Sequence, residues 1–268
     1  MELEVRNLSF SYGDGPVLRD VSFTARAGEL IAVVGPNGAG KSTLFRCILG
    51  FLRGFGGSVL IDGRDAKGLP RRELARRVAY IPQASDQVFD YTVMELVLMG
   101  LAPRMPLFGT PGAAEEARAA AVLDDLGIAH LAWRGCGQIS GGEYQLALLA
   151  RALVQQAGIL IMDEPTANLD YGNQYRVMER VAALARRGLI VLVSTHDPNQ
   201  VLLHATRALA LEGGVVSADG APADVMDGRL LSRLYGIEVR RAEVPDGGRE
   251  VSVCFPAGPQ GAEGGEGR

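Results

Sequence analysis

Lysine is nearly absent from this chain. Its 268 residues hold two, Lys41 and Lys67, against twenty-five arginines. Arginine supplies positive charge almost everywhere, so a lysine at position 41 needs a reason of its own. Cysteine is scarce as well: Cys47, Cys136 and Cys254 are three in number, widely spaced, with no CxxC pair and no Cys/His cluster. Neither a disulfide framework nor a zinc site is expected, and a reduced, cytoplasmic setting is the default reading. Long apolar runs are missing. Leu30 to Val34, Ile159 to Met162 and Leu189 to Val193 are four or five residues long, far short of the roughly 18 that cross a bilayer. The N-terminal stretch MELEVRNLSF has no basic region leading into an apolar one, so no signal peptide is expected. An excess of positive charge is lacking too: the net charge of −4 argues against a protein built around nucleic-acid phosphates. What remains, with 47% hydrophobic and 22% charged residues, is the balance of a globular chain long enough to bury a sizeable core.

The punctuation of the chain predicts an α/β fold. Leu3, Val5, Leu8 and Phe10 predict a short edge strand, and Val17 to Thr24 a second. Leu30 to Val34 is a continuous apolar run, as in a strand covered on both faces. Gly35 to Gly40 then turn the chain, and Leu44, Phe45, Ile48 and Leu49 share one side of a helix that begins at Lys41 and ends by Gly50. Ser58 to Ile61 and Val78 to Ile81 are further strands. From Thr92 to about Gln156 no strand is legible. Capping boxes at Thr92/Glu95 and Ser140/Glu143 and an alanine-rich stretch at 113–126 predict helices, read as an insertion in the α/β domain. Strands return at Ile159 to Asp163 and Leu189 to Ser194, with a helix from about Tyr171 to Arg187 between them. Such alternation implies a mostly parallel sheet. The glycine-rich segment from Pro256 to Arg268 is expected to be disordered.

The turn Gly35-Pro36-Asn37-Gly38-Ala39-Gly40-Lys41-Ser42-Thr43 fits GxxxxGK[ST]. Its glycines let successive backbone N–H groups point at phosphate oxygens, and the helix behind it presents its positive end to the same anion. Lys41 is placed to reach the β- and γ-phosphates, and the Ser42 hydroxyl to hold Mg²⁺. The strand Ile159 to Asp163 ends in acid at the carboxyl edge of the sheet, where such folds bind ligands. Asp163 there is expected to hold Mg²⁺ through water, and Glu164 to accept a proton from the attacking water. Neither lysine follows an asparagine, so the Asn-Lys-x-Asp sequence that reads guanine is missing and adenine or unselective purine binding is expected. Tyr12 either stacks on that base or packs in the fold. Ser140-Gly141-Gly142-Glu143 opens a helix with free N–H groups and glycines. It is either a plain cap or a second anion-binding terminus, and the second option implies a head-to-tail pair with each nucleotide between two copies.

With those motifs in this order, residues 2 to 240 resemble the ATP-binding subunit of an ABC transporter. The series is Tyr12, the phosphate loop at 35–43, Gln83 after Tyr80-Ile81-Pro82, the signature at 139–143, Ile159 to Glu164, Ala167-Asn168-Leu169-Asp170, and His196. Two positions depart from the pattern: Ile139 stands for the usual leucine and Tyr144 where arginine is common. The resemblance implies a P-loop NTPase (RecA-like) core of mixed sheet, at 1–88 and 157–240, with an antiparallel β edge at the N-terminus. It implies a helical subdomain at 89–156, and leaves 241–268 as a C-terminal extension disordered at its end. It implies that Gln83 touches Mg²⁺ and the attacking water, that Asp170 joins two sites across a dimer, and that His196 contacts the γ-phosphate. His130, His204 and Trp133 match no motif and are expected to be structural or surface residues. ATP and Mg²⁺ are the implied ligands. The implied partners are transmembrane permease subunits, a second copy of the chain and, indirectly, a substrate-binding protein outside the membrane, with no nucleic acid. The implied place is the cytoplasmic face of the cell membrane, with a permease helix gripped near Gln83 and residues 84–110.

Four stretches are similar to importers of ferric siderophores, haem and cobalamin, with related molybdate systems: Thr92 to Val97, Met99 to Arg104, Asp197-Pro198-Asn199-Gln200, and Leu234-Tyr235-Gly236-Ile237. A metal-chelate importer ATPase is the resulting expectation. An ATPase for another cargo such as molybdate, an exporter subunit, and a soluble non-transport ABC ATPase stay open as alternatives.

Overall fold

The computed structural model describes residues 1–13, 15–83, 91–106 and 109–258, the side chain of Arg249 excepted. The chain opens with β1 (Glu2–Tyr12), β2 (Gly15–Arg26), the fully buried β3 (Leu30–Val34) and α1 (Lys41–Ile48). Next come β4 (Gly56–Ile61), β5 (Arg64–Asp65), α2 (Arg71–Arg77) and β6 (Val78–Ile81). Three helices follow: α3 (Val93–Met99), α4 (Ala113–Asp125) and α5 (Gly141–Val154). After them come β7 (Ile159–Asp163), α6 (Tyr171–Arg186), β8 (Ile190–Thr195) and α7 (Pro198–His204). The described chain closes with β9 (Arg207–Glu212), β10 (Val215–Gly220), α8 (Pro222–Val225), α9 (Gly228–Tyr235), β11 (Val239–Asp246) and β12 (Arg249–Pro256).

The early strands form a sheet of their own, ordered β2-β1-β4-β5 and antiparallel throughout. A six-stranded sheet runs β10-β9-β3-β8-β7-β6, parallel except at β10. Period-2 alternation along its central strands divides the interior in two. Leu30, Ala32, Val34, Leu160, Met162, Val191 and Val193 face the core shared with α3 to α7 and α9. Ile31, Val33, Ile159, Ile161, Ile190 and Leu192 face the core shared with the antiparallel sheet and α1. Both faces of β3, β7 and β8 are therefore covered, which is why these strands read as unbroken apolar runs.

Helices α3, α4 and α5 pack on one another, and α5 also meets β6 and α6. Between β6 and β7 no strand is found among the described residues; Thr92 and Gly135 make an isolated bridge. The expectation of disorder from Pro256 onward needs correcting at its start. Pro256 closes β12 opposite Val239, and the Ala257 N–H donates to Glu238 O at 2.8 Å; the hairpin pairing holds these residues. Residues 259–268 lie outside the described residues, and the expected boundary at 240 falls inside β11. All three cysteines are free and buried.

Candidate active site

Three neighbouring parallel strands end together. Val34 pairs with Thr195, and Ser194 with Asp163, so the loop after β3, the acids after β7 and His196 after β8 emerge along one edge of the sheet. The phosphate loop leaves β3 at Gly35. A Cβ on Gly40, whose φ is 105°, would sit 2.8 Å from Leu18 Cδ2, so the turn into α1 requires glycine there. The first backbone bond into the helix runs from the Leu44 N–H to Gly40 O at 2.8 Å, and Gly40 offers no side-chain cap. The N–H groups of Lys41, Ser42 and Thr43 thus lack intrahelical acceptors and face outward with the positive end of the dipole. Asn37 and Gly38 are exposed at the tip of the loop, Ser42 is half-buried and Thr43 buried.

Lys41 is 6% exposed. Its ammonium donates to Gly35 O at 2.7 Å and Pro36 O at 3.2 Å, and stands 4.0 Å from Glu164 Oε1. Burial pushes its pKa down, against the opposing pull of Glu164 and Asp163. Asp163 is buried and its Oδ1 accepts from the Ser194 hydroxyl at 2.6 Å; the same hydroxyl accepts from the Glu164 N–H at 2.8 Å. Glu164 is a non-glycine residue at φ 47°, a left-handed conformation that costs of order 1–3 kcal/mol and persists where surrounding contacts fix it. Its Oε2 lies 3.5 Å from both Gln83 Nε2 and His196 Nδ1. Lys41, Asp163, Glu164, Gln83 and His196 are therefore brought together.

The signature residues lie elsewhere in the chain. Ser140 caps α5, with its N–H donating to Glu143 Oε2 at 2.8 Å and its hydroxyl accepting from the Glu143 N–H at 3.3 Å. Gly141 is exposed, while Gly142 is buried against Asn173 of α6. Among the described residues no hydrogen bond joins residues 140–142 to the phosphate loop. Asp170 caps α6, accepting from Asn173 N at 2.9 Å and Nδ2 at 2.7 Å; these bonds, the backbone one first, hold its carboxyl below the usual range. Tyr12 is half exposed at the end of β1, edge-on to Phe10 at 4.9 Å. Of the two departures, Ile139 and Tyr144 are half-buried against the core. Of the expected permease grip, residues 84–90 and 107–108 lie outside the described residues. His130 and Trp133 are exposed, and His204 rests on Tyr175 at 5.3 Å.

Ser194 was not singled out by the sequence pattern. Its only signal is a polar residue near the end of an otherwise apolar strand, and the groups it joins are 30 and 31 residues away.

A buried ammonium, open first-turn N–H groups and a loop that needs glycine fit a polyphosphate. For Mg²⁺ the available donors are hard oxygens: the Ser42 hydroxyl, the Asp163 carboxylate and the Gln83 amide. No group of three or more His, Cys, Asp or Glu able to hold a metal occurs among the described residues. Mg²⁺ binds through one or two carboxylates together with substrate phosphates and water, so Asp163 beside the phosphate loop suits it.

Loop, acidic strand end and sheet order define a P-loop nucleoside triphosphatase. The ABC transporter family profile matches residues 18–167. The hemin import ATP-binding protein HmuV of Myxococcus xanthus is 40% identical, over 96% of this chain and 98% of its own length. A probable iron chelatin transport ATP-binding protein of Helicobacter pylori is 36% identical, over 88% and 93%. An inward-facing metal-chelate type ABC transporter superposes with a TM-score of 0.85 at 29% identity, covering 95% of this chain and 97% of that one. The chain belongs to the ABC transporter family, as its ATP-binding and ATP-hydrolysing subunit, whose work implies transmembrane permease partners. No helix among the described residues is long and apolar enough to cross a membrane.

Proposed function

We propose that this chain powers the import of a metal chelate, of the haem, iron-siderophore or cobalamin type, from the cytoplasmic face of a membrane. One observation carries the hydrolytic part: the Glu164 carboxylate is ringed by Lys41, Gln83 and His196 within 4.0 Å. The cargo class rests on the likeness to hemin and iron chelatin ATP-binding proteins.

In this reading two copies bind two ATP molecules and close head to tail. The loop Gly35, Asn37, Gly38, Gly40, Lys41, Ser42 and Thr43 of one copy holds the phosphates, and Tyr12 stacks on the base. Ser140, Gly141 and Gly142 of the second copy cover the γ-phosphate, and Asp170 joins the two sites. Glu164 takes the proton of the attacking water, Gln83 orients that water, and Lys41 and His196 offset charge on the transferring phosphoryl group. Ser42, Asp163 and Gln83 would hold Mg²⁺, which would offset charge on the phosphate oxygens. Hydrolysis removes the contact that holds the copies together, and the pair opens.

The permease seat is the cavity of about 850 Å³ between α1, α2 and β6 on one side and α3 and α5 on the other, lined by Phe51, Leu74, Tyr80, Met99 and Arg151. A substrate-binding protein outside the membrane delivers the cargo.

Transport in vesicles carrying this chain and its permease tests the reading, with haem, a ferric siderophore and cobalamin offered in turn. ATP-dependent uptake of one of them is expected. Glu164→Gln should keep ATP binding and lower hydrolysis by at least about 100-fold. Uptake of none, or normal turnover in that variant, overturns the cargo and the base role respectively.

A further inference from the structure

Asp197 to Gln200, one of the stretches singled out in the sequence, follows β8 at the active edge, and the C-terminal hairpin meets it at Asn199. Helix α7 follows His196 directly. It is seven residues long and buries fully only Val201, so apolar burial alone fixes it weakly. Polar clamps make up the difference. Asp197 accepts from the Asn199 N–H at 2.8 Å and donates its own N–H to Thr195 Oγ1 at 3.1 Å, which bounds His196 on both sides.

The Asn199 amide then reaches the hairpin of β11 and β12. Its Oδ1 accepts from the Cys254 N–H at 2.8 Å, and its Nδ2 donates to Cys254 O at 3.1 Å. Both backbone groups of a strand residue point the same way, so Cys254 turns them away from β11, and the Asn199 side chain occupies the place of a third strand. Two opposed bonds fix the amide orientation. The hairpin is itself tied down: the Val239 N–H donates to Ser232 Oγ of α9 at 2.8 Å. Tyr235 of the same helix lies where Asp197 and Glu164 are felt, its phenol pushed up to about 12 mainly by burial. On its other side α7 is joined to the segment after Glu164: Thr166 Oγ1 donates to Gln200 Oε1 at 3.0 Å, and Gln200 Nε2 to Gln174 Oε1 of α6 at 3.2 Å.

We propose that Asn199 is a positioning residue for hydrolysis: it bolts the C-terminal hairpin to α7 and so sets where His196 stands relative to Glu164. The hairpin is thereby part of the catalytic apparatus although it touches no reacting atom. This rests on the hydrolytic role proposed above for Glu164 and His196.

The test uses the full-length chain and measures kcat, the KM for ATP, and thermal stability. Asn199→Ala should lower kcat by about tenfold, since small misplacements of a catalytic group are costly, with KM within about twofold of wild type. Asn199→Asp keeps the acceptor for the Cys254 N–H, loses the donor, and should fall between the two. In a His196→Ala background, Asn199→Ala should change the remaining rate by less than about twofold, because the residue through which it acts is gone. An equal loss with and without His196, or a folded Asn199→Ala chain with normal kcat, overturns the proposal. If neither Asn199 variant folds, Asn199 is a structural keystone and the proposal is likewise overturned. Glu164→Gln is run alongside. If that variant turns over normally the hydrolytic reading fails; if it is inactive while Asn199→Ala is normal, only the clamp fails.

Discussion

Glu164 is held by its backbone before its side chain meets any partner. Its left-handed φ of 47° is anchored by the N–H bond to Ser194 Oγ at 2.8 Å, and the same hydroxyl fixes Asp163 at 2.6 Å. One fully buried serine thus sets two acids of different expected duty. Ser194→Ala leaves a part-buried N–H and a buried carboxylate oxygen without that partner, a loss of about 1–3 kcal/mol. It also frees the strained residue, so kcat is expected to drop about tenfold with the KM for ATP little changed. Steady-state kinetics and a thermal melt check both; unchanged kcat with lowered stability would remove Ser194 from the placement of Glu164. Lys41 and Glu164 were legible in the sequence because each belongs to a local pattern, a glycine turn or a strand ending in acid. Ser194 was not, because its partners lie 30 residues off and are met only when β7 and β8 pair.

Elements were legible where burial imposes a period. The runs of β3, β7 and β8, and the capping boxes of α3 and α5, follow from covering a sheet on both faces and from satisfying first-turn donors. From β9 onward the sequence pattern marks no strand or helix, although the resemblance extends the core to residue 240. The exposed face of β10 and the charged, largely exposed strand β11 carry too little apolar alternation to stand out, and β12 is anchored by an asparagine 55 residues earlier in the chain. Helix ends also couple. A Cβ on Gly142 would lie 2.5 Å from Asn173 Cγ, so the start of α5 is seated on the cap of α6. Gly142→Ala obliges the half-buried Asn173 side chain to turn aside and give up its 2.7 Å bond to Asp170, against a gain in helix propensity. A net loss of up to about 1 kcal/mol is expected, read as a shift in urea midpoint without a change of slope. Gly142→Ala/Asn173→Ala should recover most of the increment, since the obstructing atoms are gone; strict additivity would show that the two helices do not press on each other there.

At the scale of the whole molecule, the starts of α1 and α5 have different surroundings. The start of α1 carries the buried lysine and the acids around it, whereas the start of α5 is capped, partly exposed, and joined to α6 rather than to the phosphate loop. In the proposed head-to-tail pair a single copy would hold its nucleotide on the α1 side, and the exposed Ser140 and Gly141 would meet the phosphate of another copy. The sequence leaves that cap open between a plain helix start and a second anion site, and only the family resemblance points to the second. The consequence is testable without the permease. Glu164→Gln with ATP should run as a dimer on size exclusion, and as a monomer without nucleotide. Ser140→Arg in that background places a cation and a long side chain where the partner's γ-phosphate would approach. It should leave ATP affinity within about twofold, because the phosphate loop supplies the monomer's binding energy, and abolish the dimer peak. A dimer that survives Ser140→Arg, or an ATP affinity that collapses with it, would mean that the signature cap serves its own chain's nucleotide, and the head-to-tail arrangement would have to be abandoned.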